Sequence, residues 1–164
     1  MQSIKKIASS GNKIQFVFCG NDKGNLIFLK KKIDEYKINK YVKIFSFVKN
    51  SELKILYKNC KAVVMPTYFG PTNIPPLDAW YFKKPLIYSK HLVNQVKDAA
   101  LLVDPNSVDE LVEALKKINN KKIANKLIKN GIKMLANTYT DRALGEKNLE
   151  KALLQFDKIK ETWC

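Results

Sequence analysis

An α/β fold, a parallel sheet flanked by helices, is what this sequence predicts, and three observations predict it. Short apolar runs recur along the chain, each closed by glycine, proline or a polar cluster. Between the runs, apolar residues switch to helical spacing. The runs are continuous rather than alternating, as strands buried on both faces require, and the connections are short.

The first run, Ile14-Gln15-Phe16-Val17-Phe18-Cys19, stops at Gly20. Leu26, Leu29, Ile33 and Tyr36 then recur at helical spacing. Val42 to Phe45 reads as a second strand, followed by a short helix with Leu53, Leu56 and Tyr57, for which Ser51 is the candidate cap. Ala62 to Met65 is a third strand, closed by Pro66. Pro75 and Pro76 open a helix, because proline is tolerated where the amide lacks a helical partner. Leu86 to Tyr88 and Ala100 to Val103 complete the strands. Ser107 and Glu110 form a capping box ahead of Val108, Leu111, Val112, Leu115 and Ile118. Two more helices are predicted, over 123–135 and 142–160. In the second, Leu149, Leu153 and Phe156 line one face, leaving an apolar stripe partly exposed near Trp163. The whole reads as one domain over 1–164, with its core over 12–137 and its C-terminal helices over 121–160.

Composition excludes several classes. The 164 residues carry a net charge of +15 and are 46% hydrophobic. Of 30 basic residues only Arg142 is arginine, so 29 are lysine (30 − 1), and they are spread along the chain. Arginine is preferred for base-edge and bidentate phosphate contacts, so no nucleic-acid partner is expected. Solvated lysine faces account for the charge, with peripheral contact to an anionic membrane as the second reading. No run reaches a membrane span, and no secretory signal opens the chain. Cys19, Cys60 and Cys164 are odd in number and lack close spacing. With His91 as the one histidine, no metal site or disulfide framework is expected, which fits a reducing cytoplasm. Cys19 and Cys60 read as small buried hydrophobes.

Ligands of parallel α/β sheets bind at the carboxyl ends of the strands. The segments there hold Gly20 to Asn25, Ser46 to Asn50, Pro66 to Ile74 and Ser89 to Asn94. The third is too long and too rich in special residues for a simple connector. Thr72, Asn73 and Ile74 stand where a proline-started helix begins, and amides at a helix N-terminus cradle phosphate. Asp78, one turn on, is placed to accept hydrogen bonds from ribose hydroxyls. The competing reading makes Thr72 or Asn73 a plain helix cap and Asp78 a dipole-compensating acid.

This segment resembles the signature region of family 4 retaining glycosyltransferases of the GT-B fold. Pro66-Thr67 matches its proline-small-residue pair, Ile74-Pro75-Pro76-Leu77 continues the pattern, and Asp78 stands at its second acidic position. Phe16 to Gly20 is similar to the family's strand-glycine opening. Val42 to Val48, with Glu52-Leu53 and Leu56-Tyr57, resembles its next conserved stretch. Lys84-Pro85-Leu86-Ile87 and Asp98 to Pro105 follow in order. The resemblance covers residues 14–137. It implies a Rossmann-like C-terminal half of a GT-B enzyme, with Gly20, Asn21, Phe47, Val48, Leu53, Thr72, Asn73, Ile74 and Asp78 on a nucleotide-sugar donor. It implies hexosyl transfer with retention to a glycan or lipid-linked acceptor, as in capsule or lipopolysaccharide assembly, and no cofactor or bound metal. It places the enzyme in the cytoplasm or on the inner face of the membrane.

Three departures accompany the resemblance. The family's first acid falls on Gly70, eight positions before Asp78. Asp78 replaces a glutamate. The acceptor-binding domain is absent, with the arginine and lysine that steady the diphosphate. The expectation is a donor-binding half that is inactive alone and partnered by the missing domain or a chain carrying it. The alternative is a non-catalytic nucleotide-sugar-binding or docking module of the same fold.

Overall fold

The structure, a computed structural model, describes residues 1–11, 14–70 and 73–162. Thr72, placed above at the phosphate cradle, and Trp163 lie outside the described residues. Helix α1 (Gln2–Ser9) precedes β1 (Phe16–Cys19), and strands and helices then alternate. They are α2 (Leu26–Glu35), β2 (Val42–Phe45), α3 (Asn50–Asn59), β3 (Val63–Met65), α4 (Ile74–Tyr81), β4 (Leu86–Ser89), α5 (Val93–Val96), β5 (Leu101–Val103), α6 (Val108–Lys117) and α7 (Lys121–Glu161).

Every described ladder is parallel. The strands form two ladders, β1–β2 and β3–β4–β5, where the alternation predicts one sheet. Packing, not a hydrogen-bond ladder, joins the two. Ile14 and Phe16 on one side and Ala62 on the other pack on buried Ile7, Ile87, Val103, Leu115 and Leu127. Only β4, at the centre of its ladder, is buried along its whole length; β1 and β3 keep exposed positions. Cys19 accordingly is exposed rather than buried, and Cys60 is half-buried.

Several caps differ from those expected. Helix α3 starts one residue before Ser51, and its N-cap is Lys49, whose amide donates to Glu52 Oε2 at 2.9 Å. At α6, Ser107 Oγ accepts from the Glu110 amide at 3.2 Å as predicted. The reciprocal half goes elsewhere: Glu110 Oε2 accepts from the Asp104 amide at 2.9 Å, tying the helix to the end of β5.

The two predicted C-terminal helices are one, α7. The stretch from Asn137 to Asp141, between the two predicted helices, is rich in poor helix formers. Two of them stay in the helix by bonding back to its carbonyls: Thr138 Oγ1 donates to Met134 O at 2.9 Å and Thr140 Oγ1 to Ala136 O at 3.2 Å. The first half of α7 packs on the domain through Leu127, Gly131 and Met134. Steps of three and four residues carry that face onward to Leu149, Leu153 and Phe156, all exposed, as the stripe predicts. Among the described residues no helix is long and apolar enough to cross a membrane.

Trp80 of α4 is the anchor between α4 and α7. It is buried with Ala79, Leu86, Tyr88, Val96 and Ala99, and Met134 and Leu135 of α7 close over this cluster. Its indole Nε1 donates to Ala99 O at 3.4 Å. A Cβ added at Gly131 would overlap the indole ring, so glycine is required where the helix meets Trp80.

Lys97 ends α5 with φ +47° and ψ −119°, a conformation that suits glycine. We expect Lys97→Gly to raise stability by about 1 kcal/mol, the relieved strain less the entropy glycine adds to the unfolded chain. Urea midpoints of the two proteins check this; an equal or lower midpoint for the glycine variant contradicts it.

Candidate functional site

The segment from Pro66 to Gly70 leaves the carboxyl end of β3 and is held by its own carbonyls. Thr67 O accepts from Ser89 Oγ at 2.5 Å. Tyr68 O meets His91 Nε2 at 3.0 Å. Phe69 O accepts from Thr67 Oγ1 at 2.8 Å. Gly70 O accepts from Gln95 Nε2 at 2.6 Å and Asn73 Nδ2 at 3.3 Å. The buried Tyr88 hydroxyl completes the network, donating to Gln95 Oε1 at 2.8 Å and accepting from Asn73 Nδ2. A tyrosine in the most buried strand needs such a partner; that was the sequence signal for this network.

Asn73 is the N-cap residue of α4, but its side chain makes no cap bond. It turns to Gly70 and Tyr88 instead, which removes the plain-cap reading for this residue. The phosphate cradle is also thinner than the sequence suggests. Pro75 and Pro76 follow Ile74, the first residue of α4, and neither has an amide proton. The free donors of the first turn therefore reduce to the amides of Asn73 and Ile74.

Asp78 is the fifth residue of α4, one turn on from Ile74, and is half-buried. The Tyr57 hydroxyl of α3 lies beside it, and the Tyr57 ring stacks on Phe82 with centroids 5.3 Å apart. Burial pushes the Asp78 carboxyl up, and the neighbouring Tyr57 hydroxyl pulls it part of the way back. Burial, then the charge of Asp78, raises the Tyr57 hydroxyl well above its ordinary value, so it stays protonated. A carboxylate has about four lone-pair sites, so this leaves acceptor capacity on Asp78. Tyr57 was read from sequence only as part of the short helix and of the resembled stretch; its place beside Asp78 comes from the packing of α3 against the end of α4.

Gly20 and Asn21 line a cavity of about 220 Å³ at the carboxyl ends of β1 and β2, with Cys19, Lys23, Phe45 and Ser46. Asp22 caps the next helix, accepting from the amides of Gly24 at 2.8 Å and Leu26 at 3.1 Å. Of the other predicted positions, Phe47 and Ile74 are exposed, and Val48 and Leu53 are half-buried. The structure thus brings the predicted residues into two groups. Gly20 and Asn21 share the cavity. Asp78 and the helix carrying Leu53 are linked through Tyr57.

A family model described as glycosyl transferases group 1 matches residues 1–134. The chain belongs to that family. Solved structures agree on its GT-B glycosyltransferase fold. The chain is similar to a sucrose-phosphate synthase from Thermosynechococcus elongatus, at 21% identity and a TM-score of 0.76, covering 93% of this chain and 42% of that one. It is similar to the C-terminal domain of a glycosyl transferase group 1 family protein from Francisella tularensis, at 21% identity and a TM-score of 0.69, covering 84% of this chain and 77% of that one. It is similar to a glycosyltransferase from Rickettsia africae, at 18% identity and a TM-score of 0.70, covering 90% of this chain and 41% of that one. No curated protein matches it by sequence. This group 1 glycosyl transferase chain thus spans less than half the length of the synthase it matches.

Gly70 is the position at which the resemblance expects the first acid. Its φ of +143° and the adjacent Asn73 side chain, which a Cβ would overlap, leave no room for a side chain in this conformation.

Proposed function

We propose that this chain is the donor-binding half of a sugar transferase, taking a nucleotide sugar at the carboxyl ends of its strands. One observation carries the reading. Asp78, on the helix entered from β3, is half-buried and raised by burial, yet is met by a neutral tyrosine rather than a cation. A carboxylate kept this way suits ribose hydroxyls, which are neutral donors. The diphosphate lies toward the start of α4, and the base toward Gly20, Asn21, Phe47 and Val48. No resident metal is required. The transferred sugar leaves the diphosphate and joins an acceptor hydroxyl with retention at the anomeric carbon, the hydroxyl proton passing to the leaving diphosphate.

The exposed stripe of α7 is, on this reading, the seat of the acceptor-binding domain. Its second half alternates Asp141, Glu146, Glu150 and Asp157 with Arg142, Lys147, Lys151 and Lys158, and so lacks the basic excess of the whole chain. That balance favours a protein partner over an anionic membrane.

NMR titration with uridine, guanosine and adenosine diphosphates and their sugar conjugates tests the donor site. Shifts are expected at Gly20 and Asn21, Phe47 and Val48, and Asn73 to Asp78. Shifts confined to another face, or none at millimolar ligand, reject it. The side-chain-free Gly70 supports the second reading, a module that binds without catalysing. Sugar transfer by the chain joined to an acceptor-binding domain separates the two.

A further inference from the structure

Two aromatic residues on the Pro66–Gly70 segment face solvent: Tyr68 is 65% exposed and Phe69 81%. Exposed aromatics usually sit on loose loops, but this segment is not loose. Its four successive carbonyls from Thr67 to Gly70 are each met by a side chain, three of them from β4 or the residues after it. Tyr68 is fixed at both ends. Its carbonyl meets His91, and its hydroxyl donates to Asn106 Oδ1 at 2.7 Å. Asn106 is itself held, its amide donating to Asp104 Oδ1 at 2.8 Å. The ring is therefore locked while most of its surface stays in water.

We infer that the fixed Tyr68 ring, with exposed Phe69 beside it in the chain, is a stacking platform for the apolar face of a hexopyranose ring. A ring whose rotation is already spent loses little entropy on binding, which is what makes rigid tyrosines good contact surfaces. The polar groups of Asn106, Asp104 and His91 lie at its margin, and a hexose presents C–H groups on its face and hydroxyls at its edge. The platform deepens the proposed donor site by assigning the sugar-recognising part to neutral aromatic surface, beside a Gly70 that carries no acid. It rests on that reading only for the role of the sugar, not for its binding.

The test uses the full chain and two separate probes. One is a set of methyl hexopyranosides, the α-anomers of glucose, galactose, mannose and N-acetylglucosamine. The other is uridine diphosphate. With at least one hexoside, ring signals of Tyr68 and Phe69 should shift at high millimolar concentration. Phe69→Ala and Tyr68→Ala should each weaken that binding about two- to tenfold, the effect of losing one aromatic contact. Tyr68→Phe, which keeps the ring but frees it from Asn106, should lie between wild type and Tyr68→Ala. Both side chains are exposed, so circular dichroism should show all three variants folded. No hexoside shift at the two rings, or affinity unchanged in both alanine variants, overturns the platform. Uridine diphosphate reports independently: if it binds and no hexoside does, the platform fails and the donor site stands, and the converse result removes the nucleotide reading alone.

Discussion

Trp80→Ala should cost about 3–5 kcal/mol, as truncation of a buried tryptophan does. Domains are stable by only about 5–15 kcal/mol, so the variant loses a large part of its stability. The cost has a single physical source. The indole fills the seam where α4, β4 and the first half of α7 meet, and Met134 and Leu135 lose their backing when it goes. Gly131 makes the claim specific. In the wild type, Gly131→Ala drives a methyl group into the indole, and overpacking of that kind costs about 1–3 kcal/mol. In the Trp80→Ala background the same methyl enters the space the indole has left. There Gly131→Ala should be neutral or stabilising, by up to about 1 kcal/mol from the better helix propensity of alanine. The sign of the Gly131 effect thus depends on residue 80, which is the signature of direct contact. Urea denaturation of the four proteins gives the cycle. Equal effects of Gly131→Ala in both backgrounds would show that α7 does not rest on Trp80.

The parts of this fold that were legible in sequence are those set by local pattern. Val42 to Phe45 forms β2 with the predicted bounds, and Ser107 caps α6, because a short apolar run and a serine before a periodic helix carry their own signal. What failed depended on partners distant in sequence. Two helices were predicted on either side of 136–141, but Thr138 and Thr140 satisfy their hydroxyls within one continuous helix. The single predicted sheet needed β1 beside β3, and no periodicity reports which strands pair. Cys19 looked buried because its run was apolar, yet it ends β1 at an open cavity. At the candidate site, Asn73 and Asp78 were visible through their motif. The carbonyls that fix Tyr68, the Tyr88 network and the turn of Tyr57 onto Asp78 were not, since each joins elements brought together only by folding.

Asp78→Asn should weaken nucleoside diphosphate binding by about 1.5–3 kcal/mol, the worth of hydrogen bonds to a charged group, which is roughly tenfold to a hundredfold in Kd. The substitution keeps the shape of the side chain and removes its charge, so the loss measures what the carboxylate does for the ribose. A 2′-deoxyribose ligand, with one hydroxyl fewer, should be less sensitive to the change. Stability should move the other way. Burial raises the carboxyl above its unfolded value, so the folded protein holds the proton more tightly than the unfolded chain does. The stability this group contributes is present below its unfolded pKa and is lost as pH rises through its folded pKa. At neutral pH the ionised Asp78 is therefore a cost to the empty protein, and asparagine relieves it. The expected result is a variant that binds less well, melts no lower, and loses less stability than wild type as pH rises through the carboxylate range. An acid serving only the α4 dipole would give the reverse: unchanged binding with a lower melting temperature. Isothermal titration and thermal melts across pH, on the same two proteins, decide between them.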